Sequence, residues 1–255
     1  MSEVQGEPPQ GASWRADAGG VLELLASAEI TACELMPWGS NYTFLAKLRH
    51  DEGGEGLGVY KPRKGEAPLW DFPDGTLYRR EYGAYLVSEA IGWGFIPPSV
   101  IRDGPHGEGV LELFIPSYRG ANYFTFKDEA DRTEALQRMA VFDFFTNNAD
   151  RKAGHCLLGV DGRVWGIDHG LCFNAVYKLR TVIWEWRSLP IPPGILSDVA
   201  AFLDELEKVG PAAAALSELI DAQEMHVLRG RVREVLETGT FPEPGARRSF
   251  PWPPV

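Results

Sequence analysis

The stretch Phe145-Thr-Asn-Asn-Ala-Asp150-Arg151-Lys-Ala-Gly-His155-Cys-Leu-Leu-Gly-Val-Asp-Gly-Arg-Val-Trp-Gly-Ile167-Asp168-His169-Gly170 sets two polar clusters on either side of a short apolar hairpin. Residues 156–160 and 163–167 read as two brief strands, and Asp161-Gly162 between them is the two-residue signal for a type I′ turn. Such a hairpin brings its open ends together, so Asp150 and Asp168 are expected to lie close in space. Two carboxylates placed in this way suit phosphoryl transfer: one orients a hydroxyl while the other holds a metal ion on nucleotide phosphates.

The Asp150-Arg151 loop followed by Ile167-Asp168-His169-Gly170-Leu-Cys-Phe173 resembles the phosphatidylinositol 3-/4-kinase superfamily, closest to the type II phosphatidylinositol 4-kinases and to a bacterial branch of that superfamily. The resemblance is specific over residues 147–173 and looser over residues 38–116. It implies an α+β, two-lobed atypical protein-kinase-like fold, with a small antiparallel-sheet N-lobe and a mostly helical C-lobe. It further implies ATP with Mg2+ or Mn2+ as cofactors, Asp150 as the catalytic residue and Asp168 as the metal ligand. Arg151 resembles the family's partner residue and would pair with Asp150 or a phosphate oxygen; as a residue type, a solvated arginine fits equally well. His155 stands where the family carries an asparagine. Mg2+ prefers hard oxygen ligands and neutral imidazole suits Mn2+. Three readings stay open: a single-metal site on Asp168, an Mn2+-favouring site that His155 joins when deprotonated, or a histidine bonded to a loop carbonyl.

Composition sets the frame around this stretch. The 255 residues, 44% hydrophobic and 24% charged, can bury a real core in one or two lobes. No apolar run reaches the ~18 residues of a membrane span. The opening Met1-Ser-Glu-Val-Gln-Gly-Glu-Pro-Pro lacks signal-peptide architecture, so a cytoplasmic location and no integral membrane association are expected. A net charge of −11 argues against nucleic acid and anionic membranes as partners, and against a lipid acceptor. Cys33, Cys156 and Cys172 have no metal-ligand spacing and read as thiols rather than a disulfide or zinc site.

Periodicity divides the chain into four parts. Residues 1–20 read as an unpatterned arm. Residues 21–116 hold a short helix over 21–28, strands over 30–35, 42–48, 57–61, 99–102 and 110–115, and a helix over 77–91. Residues 117–240 hold a helix over 129–145 that delivers the chain into the Asp150 loop, then a short helix over 195–209 and one long helix over 212–237. Residues 241–255, rich in proline, read as a free polyproline-like tail rather than a surface anchor.

The rest of the expected site lies upstream. A nucleotide kinase needs a cation on the α/β-phosphates and an acid from a neighbouring helix to hold it. Lys61 at the end of its strand and Glu81 in the following helix have the right elements and order, with Lys47 and Glu89 as second choices. The loop from Trp38 to Thr43 offers backbone N–H groups, the Ser40 hydroxyl and Asn41 to phosphates, although an ordinary β-turn explains its single glycine better. Glu112 and Phe114, in Leu111-Glu-Leu-Phe-Ile-Pro116, resemble the linker whose backbone meets the adenine edge. The segment after Phe173, with Tyr177, Lys178, Arg180, Trp184, Trp186 and Arg187, is where an acceptor is expected to dock. The expected activity is ATP-dependent transfer of the γ-phosphate to a hydroxyl on a protein or small molecule. A nucleotide-binding pseudokinase and an AMP transferase on the same fold are the alternatives.

Overall fold

Alternating apolar and polar side chains from residue 29 onward build a five-stranded antiparallel sheet in the computed structural model, which describes residues 14–37, 41–245 and 248–255. The strands are β1 (Glu29–Leu35), β2 (Phe44–His50), β3 (Gly54–Pro62), β4 (Ser99–Gly104) and β5 (Gly107–Leu113), in the order β1-β2-β3-β5-β4. Ala46, Leu48, Tyr60, Leu111 and Leu113 form a small core with Val21 and Leu25 of α1 (Val21–Ser27). The period of two then turns Lys61 to the opposite face from Tyr60. β5 runs very close to the end of β3: a Cβ at Gly109 would fall 2.5 Å from the Lys61 carbonyl oxygen, so only glycine fits there.

Between β3 and β4 lies α2 (Leu77–Ala90), which buries Arg80 and Glu81 together with apolar side chains. Ala84 and Val87 belong to the large core of the helical lobe, so α2 packs on that lobe as well as beside β4 and β5. Arg80 Nη2 meets Glu224 Oε1 at 2.7 Å, and Arg80 Nη1 donates to the Cys172 carbonyl at 2.9 Å.

The helical lobe comprises α3 (Tyr123–Phe126), α4 (Thr133–Thr146), α5 (Pro193–Glu207), α6 (Pro211–Ser217) and α7 (Ala222–Thr238). Phe142, Phe145, Phe202, Leu228 and Val232 fill its centre. α4 ends at Asn147, whose φ of 58° is the left-handed conformation that asparagine tolerates at a helix C-terminus. A two-stranded hairpin, β6 (Cys156–Leu158) and β7 (Val164–Gly166), leads from the Asp150 loop to Asp168.

Several expectations are corrected. The long helix over 212–237 is two helices, because the Asp221 side chain caps the Glu224 N–H and the Glu224 side chain returns to the Asp221 N–H. The helix expected over 129–145 begins at Thr133, after a 3-10 turn at Ala130–Arg132. The hairpin turn is not type I′: Gly162 has φ 80° but Asp161 is not in the positive-φ region, and Gly159 N–H donates to the Arg163 carbonyl across a five-residue loop. The tail is not free. The Pro254 carbonyl accepts from Ala153 N–H at 2.8 Å, the Ser249 carbonyl from Thr181 N–H at 3.1 Å, and Phe241 is buried. A proline-rich segment has few donors, but its carbonyls can anchor it. Of the expected arm, residues 1–13 lie outside the described residues, and Trp14 is held by a 2.7 Å bond from its indole N–H to the Gly53 carbonyl.

Candidate active site

Strand β3 delivers Lys61 and helix α2 delivers Glu81 to one point beneath the sheet. Lys61 Nζ lies 2.9 Å from Glu81 Oε1 and 2.7 Å from Asp168 Oδ1. Burial works against the ammonium, but Asp168, Glu81 and Glu112 outweigh it and hold its pKa well above the ordinary lysine value. The Asp168 carboxyl is pushed up by burial yet ends far below the carboxylate range, because Lys61 and then His155 favour its charge. Half of its side-chain surface stays open although the group is set deep among protein atoms. Its φ of 58° turns the side chain out of the strand that precedes it. Glycine follows closely because the Glu81 carboxylate passes there: a Cβ at Gly170 would meet Glu81 Oε2 at 3.3 Å.

Asp150 lies within Coulombic reach of Asp168, so the two carboxylates share one region; its nearest charged partner is Lys152 Nζ at 3.3 Å. Burial raises the Asp150 pKa above the ordinary aspartate value, Lys152 opposing and Asp168 adding to the rise. His155 Nε2 sits 3.4 Å from Asp168 Oδ2. The Lys152 N–H points at His155 Nδ1, which assigns the proton to Nε2 and makes the ring a donor toward Asp168. Burial lowers the His155 pKa to about 4, so the imidazole is neutral throughout the range near neutrality, and deprotonation there cannot gate metal binding.

Glu112 is 2% exposed, and its Oε2 has no hydrogen-bond partner. Burial pushes its pKa up to about 8, with Lys61 only partly offsetting the effect, so the group is neutral at pH 7. Its side chain thus joins the Lys61 cluster, a placement the linker resemblance did not anticipate. The Phe114 N–H donates to the Leu57 carbonyl at 3.1 Å and is spent on the sheet rather than open to a nucleobase. Asn41 Oδ1 accepts from Ala67 N–H at 2.8 Å, fastening the loop after β3. Ser40 lies outside the described residues. Lys47 shares the sheet face of Lys61 but is paired with Glu34 at 3.0 Å and does not join the Lys61 cluster. Glu89 is two helical turns beyond Glu81 and does not reach Lys61.

Arg151 departs most from expectation. It does not face Asp150 or the cleft: its side chain is fully buried, and all five N–H groups are used inside the lobe. Nε and Nη2 bond Asp143, Nη1 bonds the His155 and Ile167 carbonyls, and Nη2 also meets His169 Nε2 at 2.6 Å. Since guanidinium only donates, His169 Nε2 accepts and Nδ1 carries the proton, 4.0 Å from Glu81 Oε1. The His169 N–H donates to the same carboxylate oxygen at 2.8 Å. Asp143 and His169 are therefore members of the site that sequence reasoning missed. The available signal was an aspartate standing between Phe142 and Phe144 in an otherwise apolar helix end.

For a divalent cation, Asp168 offers carboxylate oxygens and His155 a ring nitrogen that now carries a proton. No group of three or more His, Cys, Asp or Glu poised to hold a metal occurs among the described residues. This donor set fits a cation that keeps several waters and draws most of its ligands from phosphates, as Mg2+ does, and not a dedicated protein cage.

No protein-family model matches the chain. It is 42% identical over 269 residues to the protein Rv2133c of Mycobacterium tuberculosis, covering 90% of this chain and 94% of that protein. It is 26% identical over 151 residues to phosphatidylinositol 4-kinase gamma 4 of Oryza sativa subsp. japonica; that match takes in 50% of this chain and only 26% of the rice protein. Among solved structures it is similar to the Golgi casein kinase with Mn/ADP bound, at a TM-score of 0.53 and 15% identity over 86% of this chain and 74% of that one. It is equally similar to hydra Fam20 with sugar, at a TM-score of 0.53 and 15% identity over 87% and 89% of the two chains. These likenesses establish the architecture: the fold is a two-lobed, kinase-like α+β fold. The chain belongs to the family of the mycobacterial protein Rv2133c.

Proposed function

We propose that the protein is an ATP-dependent phosphotransferase of the phosphatidylinositol 3-/4-kinase-like type, moving the γ-phosphate to a hydroxyl acceptor. The observation that carries this reading is the meeting of Lys61, Glu81 and Asp168 within 3 Å contacts, with Asp150 in the same electrostatic field. The Mn/ADP bound to the Golgi casein kinase and the rice kinase's name agree with nucleotide chemistry on such a fold.

In this mechanism Lys61 leaves Asp168 for the α/β-phosphates while Glu81, fixed by the His169 N–H, keeps the ammonium in place. Asp168 would hold Mg2+ or Mn2+, which when bound supplies charge neutralisation on the phosphates. His155, donating to Asp168, orients that carboxylate. Asp150 accepts the proton of the acceptor hydroxyl, and its raised pKa brings it nearer the range in which a base works well. Arg151 touches no reactant and acts as a positioning residue that ties the loop, the Asp168 turn and α4 together. The segment after Phe173 is held beside the loop by Asn147, whose side chain bonds the Asn174 and Val176 carbonyls and the Lys178 N–H, and it is the acceptor's docking ground.

Incubation with ATP labelled at the α- or γ-phosphate tests the reading. The expected result is transfer of the γ-label, abolished by Asp150→Asn. Transfer of the α-label would replace it with AMP transfer, and thermal stabilisation by ATP without turnover would replace it with a pseudokinase.

A further inference from the structure

The segment after Phe173 runs beside the Asp150 loop as a short parallel partner. Arg180 N–H donates to the Asn148 carbonyl at 2.9 Å, Arg151 N–H to the Arg180 carbonyl at 2.9 Å, and Val182 N–H to the Arg151 carbonyl at 3.1 Å. Arg151 and Thr181 form the central bridge of this pairing, and both side chains turn inward to Asp143, at 3.0 and 3.4 Å. Alternation along an extended pair sends their neighbours Asp150 and Arg180 to the opposite face, where both are half-buried. These two side chains lie within Coulombic reach of each other without forming an ion pair.

Arg180 is left unfinished where the cations around it are not. Its Nε is buried without an acceptor. Among the described residues it is the only buried or half-buried arginine whose guanidinium has neither a hydrogen bond nor an ion pair. Holding a guanidinium part-way out of water with nothing to accept its N–H groups costs free energy. The neighbouring cations are engaged: Lys61 by Glu81 and Asp168, Lys152 by Asp150 at 3.3 Å, and Lys178 by Asp71 at 2.8 Å. Arg180 therefore supplies the unmatched positive charge beside the proposed base, and its planar fork of donors suits two oxygens of one phosphoryl group.

We propose that Arg180 is a catalytic residue that holds the equatorial oxygens of the γ-phosphoryl group during transfer. This role rests on the phosphotransferase reading of the site. In the step, the bond from the γ-phosphorus to the β–γ bridging oxygen breaks, and ADP leaves with its electron pair. A bond to the acceptor oxygen forms, and the acceptor's proton passes to Asp150. The passing group spreads negative charge over three equatorial oxygens next to the Asp150 carboxylate, and Arg180 offsets the repulsion between them when it is greatest.

Calorimetric titration of the full chain with ADP and Mg2+, with and without aluminium fluoride, tests the role, because aluminium fluoride beside ADP copies the planar phosphoryl group in mid-transfer. The unchanged chain should bind ADP at least about tenfold tighter when aluminium fluoride is present. Arg180→Ala should lose most of that gain while its affinity for ADP alone stays within about twofold, and Arg180→Lys, which keeps the charge but not the fork, should retain part of it. Hydrolysis of ATP with water as acceptor should fall about 100-fold in Arg180→Ala, in kcat and not in KM. Because the guanidinium is unpaired, the thermal unfolding midpoint of Arg180→Ala should not drop, whereas loss of a purely structural arginine would lower it together with ADP affinity. The role is overturned if Arg180→Ala keeps the aluminium fluoride gain, or if affinity for ADP alone falls equally. An unchanged chain that binds ADP without any such gain overturns this role alone; one that binds no ADP overturns the phosphotransferase reading with it.

Discussion

Two charge clusters meet at residues 168 and 169, and they differ in how complete they are. Around Arg151, every guanidinium N–H has a partner and both Arg151 and Asp143 are 0% exposed. Around Lys61, Asp168 is half open, the protonated Glu112 keeps an unpartnered oxygen and two carboxylates, Glu81 and Asp168, face one ammonium. The first cluster is finished without a ligand; the second is left with charge to share. The comparison teaches how to tell a buried network that maintains shape from one prepared for exchange: in the former every charged N–H and carboxylate oxygen is matched, and only the His169 Nδ1 lacks a hydrogen bond, whereas the latter leaves charge exposed.

The harshest way to break the contrast is to cut the finished cluster. Arg151→Ala should cost about 3–5 kcal/mol in urea unfolding, because Asp143 is left buried and charged. The paired change Asp143→Leu with Arg151→Met should cost much less than the sum of the single changes. A loss below about 1 kcal/mol for Arg151→Ala would show that the network does not carry stability. Cutting the open cluster should read out in chemistry. Lys61→Met and Asp150→Asn should each lower phosphotransfer by about 100-fold or more, while the unfolding midpoint of Asp150→Asn moves little, since that carboxylate is partly exposed.

Glu112 sharpens the comparison through pH. Its folded pKa of about 8 stands above the usual 4.5, so between these values the folded protein holds a proton that the unfolded chain has lost. Stability from this group is full below the unfolded value and declines as pH rises toward 8, by at most about 1.4 kcal/mol per pH unit. Glu112→Gln should flatten the stability curve across that window; an unchanged slope would mean that Glu112 is charged in the folded state. A smaller effect belongs to His155. His155→Asn should raise activity with Mg2+ relative to Mn2+ by severalfold while the profile from about pH 5.5 to 8 keeps its shape, because the ring is already neutral there.

Much of this was legible in the chain itself. The alternation through β2 and β3 placed Lys61 on the cleft face, and the order of strand lysine, helix glutamate and two loop aspartates marked which side chains would converge. What was not legible depended on partners remote in sequence or on backbone detail. The sequence leaves Arg151 between a partner of Asp150 or a phosphate and a solvated arginine, and neither holds once α4 brings Asp143 against it. The Asp161-Gly162 pair signals a tight turn, but Trp165 Nε1 and the Arg163 N–H both draw on Asp161 Oδ1 and hold it in a wider loop. The break at Asp221 was visible as a capping box, yet the apolar period runs through it and hid the stop. Glu112 looked like an alternating strand residue because no pattern reports that a buried carboxyl lacks a partner.

The Arg80–Glu224 bridge and the bond from Arg80 to the Cys172 carbonyl rivet α2 to the larger lobe from within. A helix fastened in that way travels with its foundation. Any widening of the mouth therefore requires shear between the sheet and α2, so that the sheet lifts Lys61 away from a stationary Glu81 instead of the whole upper half swinging as a single plate.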